Sequence, residues 1–135
     1  MKRGQLDIVH GGLVSTDEAC TDYVDILRNF EQAQSFLDRE FDKLKPKIGW
    51  QLDPFGHSAA NAYLFTELGL DTMVFSRINE QDKMKRIEKS NLQFIWKPSF
   101  ADVTSGERKK EGEGATNEIF THILYDHYDP PKFIS

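Results

Sequence analysis

The chain has 135 residues and 15.6 kDa, with 17 Lys plus Arg against 22 Asp plus Glu, a formal net charge of −5. That length allows one domain at most and falls short of a large barrel enzyme, while the acidic balance argues against the continuous basic face that nucleic acid requires. Hydrophobic residues at 39% and aromatics at 12% exclude a disordered chain, no apolar run is long enough to cross a membrane, and the single Cys20 can form neither an internal disulfide nor a thiolate metal site.

Leu6-Asp7-Ile8-Val9 alternates at period two and is broken by His10-Gly11-Gly12, predicting a short strand that ends in a tight loop. The Met1-Lys2-Arg3 start before it does not lead into a signal-peptide core, so no targeting signal is expected. Ser15 with Glu18 three residues on fits a capping box, predicting a helix that starts almost at once. Its apolar stripe would run through Ala19, Tyr23, Ile26, Leu27, Phe30, Ala33, Leu37 and Phe41, ending before Pro46. Residues 47–52 are a second strand candidate, stopped by Asp53-Pro54-Phe55-Gly56. Ser58 reads as the N-cap of a helix through Tyr63, Leu64 and Leu68, with Gly69 as its stop. Residues 72–76 read as a third strand, 80–89 as a largely solvated helix, and 92–96 as a fourth strand ended by Pro98. Residues 105–115, nearly all charge and glycine, are expected to form an exposed mobile loop, in which Glu107, Glu111 and Glu113 neutralise Arg108-Lys109-Lys110. Residues 119–124 make a fifth strand candidate, followed by a tail with Pro130-Pro131 and no closing element.

Strands alternating with helices predict an α/β fold with a parallel sheet wound by helices. In such sheets chemistry gathers on the loops leaving the carboxyl ends of the strands. That rule nominates His10 and Asp17 after the first strand, Asp53 and His57 after the second, Arg77 after the third, and residues 125–129 after the fifth.

Asp53 stands out because the following Pro54 restricts its backbone to extended geometry, fixing a carboxylate that could serve as nucleophile, general base or metal ligand. On residue types alone, the reading of Asp-Pro-Phe-Gly as turn chemistry is the stronger one. His57 could be a ligand or a simple hydrogen-bonding partner near its helix start. Asp17 is more economically an acidic residue of a first helical turn, and Arg77 could clamp a substrate or pair with a neighbouring acid. The His127-x-Asp129 spacing is ligand-like, but strand alternation makes it common, and no metal is expected there.

The whole string decides among these. Gly49-Trp50-Gln51-Leu52-Asp53-Pro54-Phe55-Gly56-His57-Ser58 closely resembles the signature of α-mannosidases of glycoside hydrolase family 38, the lysosomal and Golgi class II enzymes. Gly11-Gly12-Leu13-Val14 leading to Asp17-Glu18-Ala19 resembles a second family segment, with Leu13 where the family usually has Trp. Phe75-Ser76-Arg77 followed by Lys83, then Gln93-Phe94-Ile95-Trp96, Phe120-Thr121-His122 and Tyr128-Asp129-Pro130, fall in the family's order. The resemblance covers nearly the whole chain, and it reverses the turn-only reading of Asp53.

The resemblance implies a partial parallel (β/α) barrel of the family's N-terminal catalytic domain over 1–135, about five strands alternating with helices. It implies a retaining, zinc-dependent α-mannosidase acting on terminal α-linked mannose in N-glycans or oligosaccharides. Asp53 would be both the nucleophile and a zinc ligand, Arg77 and Tyr128 would contact the sugar region, and His57 would support the loop from behind. The remaining zinc ligands, an upstream His-x-Asp and a distant downstream His, and the acid/base Asp have no counterpart in this sequence. The chain alone is therefore expected to be inactive, to bind zinc weakly and to fold marginally, with the remainder of a mannosidase polypeptide as its partner and the lysosome or Golgi lumen as the compartment. The alternative is a non-catalytic carbohydrate-binding or interaction module of the same fold.

Overall fold

A computed structural model describes residues 4–98 and 117–129 of the chain. The expected loop at 105–115 and the tail beyond Asp129 lie outside the described residues.

Three helices and four strands follow in the order α1 (Tyr23–Glu40), β1 (Ile48–Gln51), α2 (Ala59–Glu67), β2 (Thr72–Phe75), α3 (Glu80–Glu88), β3 (Gln93–Trp96) and β4 (Ile119–Ile123). In space the strands lie in the order β1-β2-β4-β3. β1, β2 and β4 are mutually parallel, with Gln51 beside Phe75 and Phe75 beside Ile123, whereas β3 runs antiparallel to β4. The architecture is thus mixed α/β with a mostly parallel sheet. Among the described residues the sheet has four strands where about five were expected.

Three expectations are corrected. No strand forms at 6–9 among the described residues: the segment touches the sheet through one backbone bond, His10 N–H to the Ile48 carbonyl, and then turns away at His10 (φ 68°) and Gly11 (φ 82°). The first helix begins at Tyr23, capped by the Asp22 carboxylate on Val24 N–H, not at Ser15. The residues of the supposed capping box are spent elsewhere, since Thr16 bonds Gln51 and the Asp17 carboxylate accepts from the N–H groups of Ala19 and Cys20. Finally, β3 is antiparallel. Its half-exposed alternation suits a sheet edge, and alternation reads the same in either strand direction.

The helices pack on one face of the sheet. Ile26 and Phe30 of α1, Ala62 and Phe65 of α2, and Ile87 of α3 join Met73, Phe75, Ile119 and Ile123 in a single core. Gly49 in β1 is required there, because a Cβ at that position would stand 2.7 Å from the Phe65 ring. Helix α2 stops as expected: Gly69 adopts φ 83°, its N–H bonds the Thr66 carbonyl, and Leu70 N–H reaches back to the Phe65 carbonyl.

Candidate active site

Because β1, β2 and β4 are parallel, the segments that follow them emerge along one edge of the sheet. Asp53 lies two residues past β1, Arg77 two residues past β2, and Tyr128 in the turn after β4. These three side chains meet. The Tyr128 hydroxyl donates to Asp53 Oδ1 at 2.8 Å, Arg77 Nη2 lies 3.1 Å from the same oxygen, and Arg77 Nε donates to the Tyr128 hydroxyl at 3.3 Å. The Arg77 guanidinium also lies 5.7 Å from the centre of the Tyr128 ring.

The electrostatics follow from this arrangement. The hydrogen bond to Tyr128 is the largest influence and holds Arg77 above its ordinary range, with burial opposing it and the Asp53 charge adding a smaller effect in the same direction as Tyr128, so the cation persists at any physiological pH. The Asp53 side chain is 75% exposed, so this ion pair adds little stability. Its effect is orientation: Oδ1 is fixed by two donors, while Oδ2 takes part in neither bond. A carboxylate held in this way can attack an electrophilic carbon.

Behind the cluster, the His57 ring stacks on Phe75 with centroids 4.0 Å apart. Its Nδ1 lies 3.1 Å from Glu18 Oε1 and its Nε2 lies 3.0 Å from the Arg77 backbone oxygen. His57 therefore ties the end of the Asp53 loop to the residue that clamps Asp53. In the Tyr125–Asp129 turn, His127 (φ 56°) bonds the buried Ser76 through Nδ1 at 3.1 Å and packs its ring 4.1 Å from that of Tyr128. A groove of about 580 Å³ adjoins the cluster at Arg77, lined by Phe55, Phe75, Phe94 and Trp96 among others.

Two nominated residues stand apart. His10 lies buried beside the start of β1, its ring 5.0 Å from Phe30 and 5.7 Å from Phe65, accepting from Trp50 N–H on Nδ1 and donating from Nε2 to the Val14 carbonyl. Asp17 only closes the turn before α1. The sequence reading leaves Glu18 as a capping residue, weighs His127 only as part of a His-x-Asp spacing, and gives Gln51 and Ser76 no role of their own. Gln51 carried a signal, as a polar residue at an inward position of a buried strand; the φ of His127 carried none.

Among the described residues no group of three or more His, Cys, Asp or Glu side chains is arranged to hold a metal ion. A firm zinc site needs about four ligands, and Asp53 offers one carboxylate. The described residues by themselves do not fit the zinc that the resemblance implies.

A family model described as the N-terminal domain of glycosyl hydrolases family 38 matches residues 1–135. An α-mannosidase of Canavalia ensiformis is 39% identical over 133 residues, which covers 98% of this chain and 12% of the relative. An α-mannosidase of Arabidopsis thaliana is 38% identical over 130 residues, covering 96% and 12%. The lysosomal α-mannosidase of Mus musculus is 35% identical over 136 residues, covering 99% and 12%. The chain thus spans about 12% of the length of these relatives.

Proposed function

The chain belongs to glycosyl hydrolase family 38, and we propose that it carries the nucleophile, Asp53, of a retaining α-mannosidase active site completed by further polypeptide. The observation that carries this reading is the Asp53 carboxylate itself, exposed at the strand ends with Oδ1 fixed by Arg77 and Tyr128. In the reaction, a carboxylate oxygen of Asp53 bonds to the anomeric carbon of mannose as the bond to the leaving oxygen breaks. A second carboxylic acid, outside the described residues, gives that oxygen its proton and then takes one from the water that cleaves the glycosyl ester. Arg77 holds the Asp53 carboxylate aimed, and Tyr128 supplies a hydroxyl beside the sugar.

Zinc belongs to the same proposal, with Asp53 as one ligand and the other ligands from outside the described residues. The names of relatives, which include lysosomal α-mannosidases of Mus musculus and Homo sapiens, support an α-mannoside as substrate and the lysosome as compartment; terminal α-linked mannose of N-glycans is the substrate proposed within that class. In the full-length polypeptide carrying this segment, Asp53→Ala is expected to lower hydrolysis of an aryl α-mannoside by at least about 10³-fold; wild-type turnover in that variant overturns the reading.

The aromatic groove beside Arg77 supports a second reading, a module that holds a sugar without cleaving it. Calorimetry with mannose and Asp53→Ala separates the two, because unaltered mannose affinity together with an inactive parent polypeptide favours binding alone.

A further inference from the structure

The Glu18 side chain is only 2% exposed, and its two oxygens take three donors from both ends of the Asp53 loop. Oε1 accepts from Gln51 Nε2 at 3.1 Å and from His57 Nδ1 at 3.1 Å; Oε2 accepts from Ser58 N–H at 2.7 Å. Gln51 precedes the loop and His57-Ser58 close it, so one carboxylate staples the chain on either side of Asp53. Gln51 is itself locked, donating from Nε2 to the Thr16 carbonyl at 2.9 Å and accepting Thr16 N–H on Oε1 at 3.2 Å. From His57 the connection continues to the Arg77 backbone oxygen at 3.0 Å, and since both of these partners only accept, the imidazolium form of the ring bonds both at once.

A carboxylate removed from water keeps its charge only where donors replace the water, and an anion taking three donors is a stiff joint. The apolar core lies elsewhere, with Met73 and Ile123 holding β2 and β4 and Phe65 of α2 packed on Gly49 of β1. What the joint adds is registry between the two loops that carry Asp53 and Arg77.

We propose that Glu18 is a positioning residue for the reaction. It sets the Asp53 carboxylate against Arg77 through Gln51 on one side and through His57 and the Arg77 backbone on the other. It touches neither Asp53 nor substrate. The inference rests on the reading of Asp53 as nucleophile, since only then does an error of about an ångström in its placement cost turnover.

The test uses the full-length polypeptide that carries this segment, an aryl α-mannoside, and assays well below each variant's melting midpoint. In Glu18→Gln the amide nitrogen faces a donor, and kcat is expected to fall about 10- to 100-fold with a smaller change in KM. His57→Gln removes the path to Arg77 together with the stack on Phe75, leaves Glu18 its bonds to Gln51 and Ser58, and is expected to lower kcat in the same direction. The double variant is expected to lose less than the product of the two single losses, because both act along one path. A Glu18→Gln enzyme that melts lower but keeps wild-type kcat overturns the proposal, because that is the behaviour of a structural residue. If Glu18→Gln does not fold, His57→Gln decides: a wild-type kcat there overturns the proposal and a lowered one supports it. Asp53→Ala in the same assay separates the two levels. Loss of turnover there with wild-type kcat in Glu18→Gln defeats the positioning role alone, whereas turnover in Asp53→Ala defeats the nucleophile reading.

Discussion

Asp53 Oδ1 takes its two donors from residues 24 and 75 positions away in sequence, so the clamp exists only because three parallel strands end together. Removing one donor tests how much the aim matters. Tyr128→Phe keeps the ring and deletes the hydroxyl, and kcat/KM on an aryl α-mannoside is expected to fall about tenfold, the worth of one exposed hydrogen bond to a charge. His10 supplies a residue-scale prediction about stability. Burial between Phe30 and Phe65 lowers its imidazole below the ordinary 6.5, against smaller raising effects of the Val14 carbonyl and the Glu18 charge. The unfolded ring titrates near 6.5 and the folded ring lower, so the unfolded chain takes up protons first as pH falls. The His10 contribution is complete above pH 6.5 and is lost as pH drops through 6.5 toward the lower folded value. Urea midpoints at pH 7.5 and about pH 5 are expected to drop more for wild type than for His10→Gln. At this scale the sequence was half legible: Asp53, Arg77, Tyr128 and His57 stand out in a string of characteristic types, but Glu18 looked like a capping residue because nothing local says that its carboxylate reaches Ser58.

At the scale of elements, helices were the easiest to read. Ile26, Phe30, Ala33 and Leu37 are the buried positions of α1, the same spacing that the apolar stripe shows, and Ser58 caps α2 by accepting from Ala60 N–H. The start of α1 was misread because Thr16 and Asp17 bond locally or across to Gln51, competition that a capping rule does not see. The contact between α2 and β1 carries an element-scale prediction. Gly49→Ala would drive a methyl group into the Phe65 ring and is expected to cost about 1–3 kcal/mol. Chemical denaturation checks it, and adding Phe65→Leu is expected to recover part of the loss by opening space at the same contact.

At the scale of the molecule, the described residues cover the sheet on one side only. The helices pack on the face of Met73, Phe75 and Ile123, while Trp50, Ile95 and Phe120, on the other face, stay 38%, 51% and 42% exposed. Parallel strands are found almost only where both faces are covered, and β1 and β3 also leave edges open within the described sheet. The isolated chain is therefore expected to self-associate as concentration rises and to show no turnover of an aryl α-mannoside. Light scattering checks the first point, with the double variant Ile95→Lys and Phe120→Lys expected to reduce association; a monodisperse wild-type monomer at high concentration would contradict it. The antiparallel β3 belongs to this scale too, because strand direction depends on which neighbour is free to pair and not on the residues of the strand.

The sequence by itself determined the class of the chain and the existence of its helices, and it singled out Arg77, Tyr128 and His57 beside Asp53, because periodicity, capping chemistry and a dense characteristic string are local properties. The tertiary structure alone decided that the segment at 6–9 is not a strand, that β3 runs backwards, and that Glu18 and His127 stand behind the cluster. Those outcomes depend on which distant donor finds which acceptor once the sheet has formed.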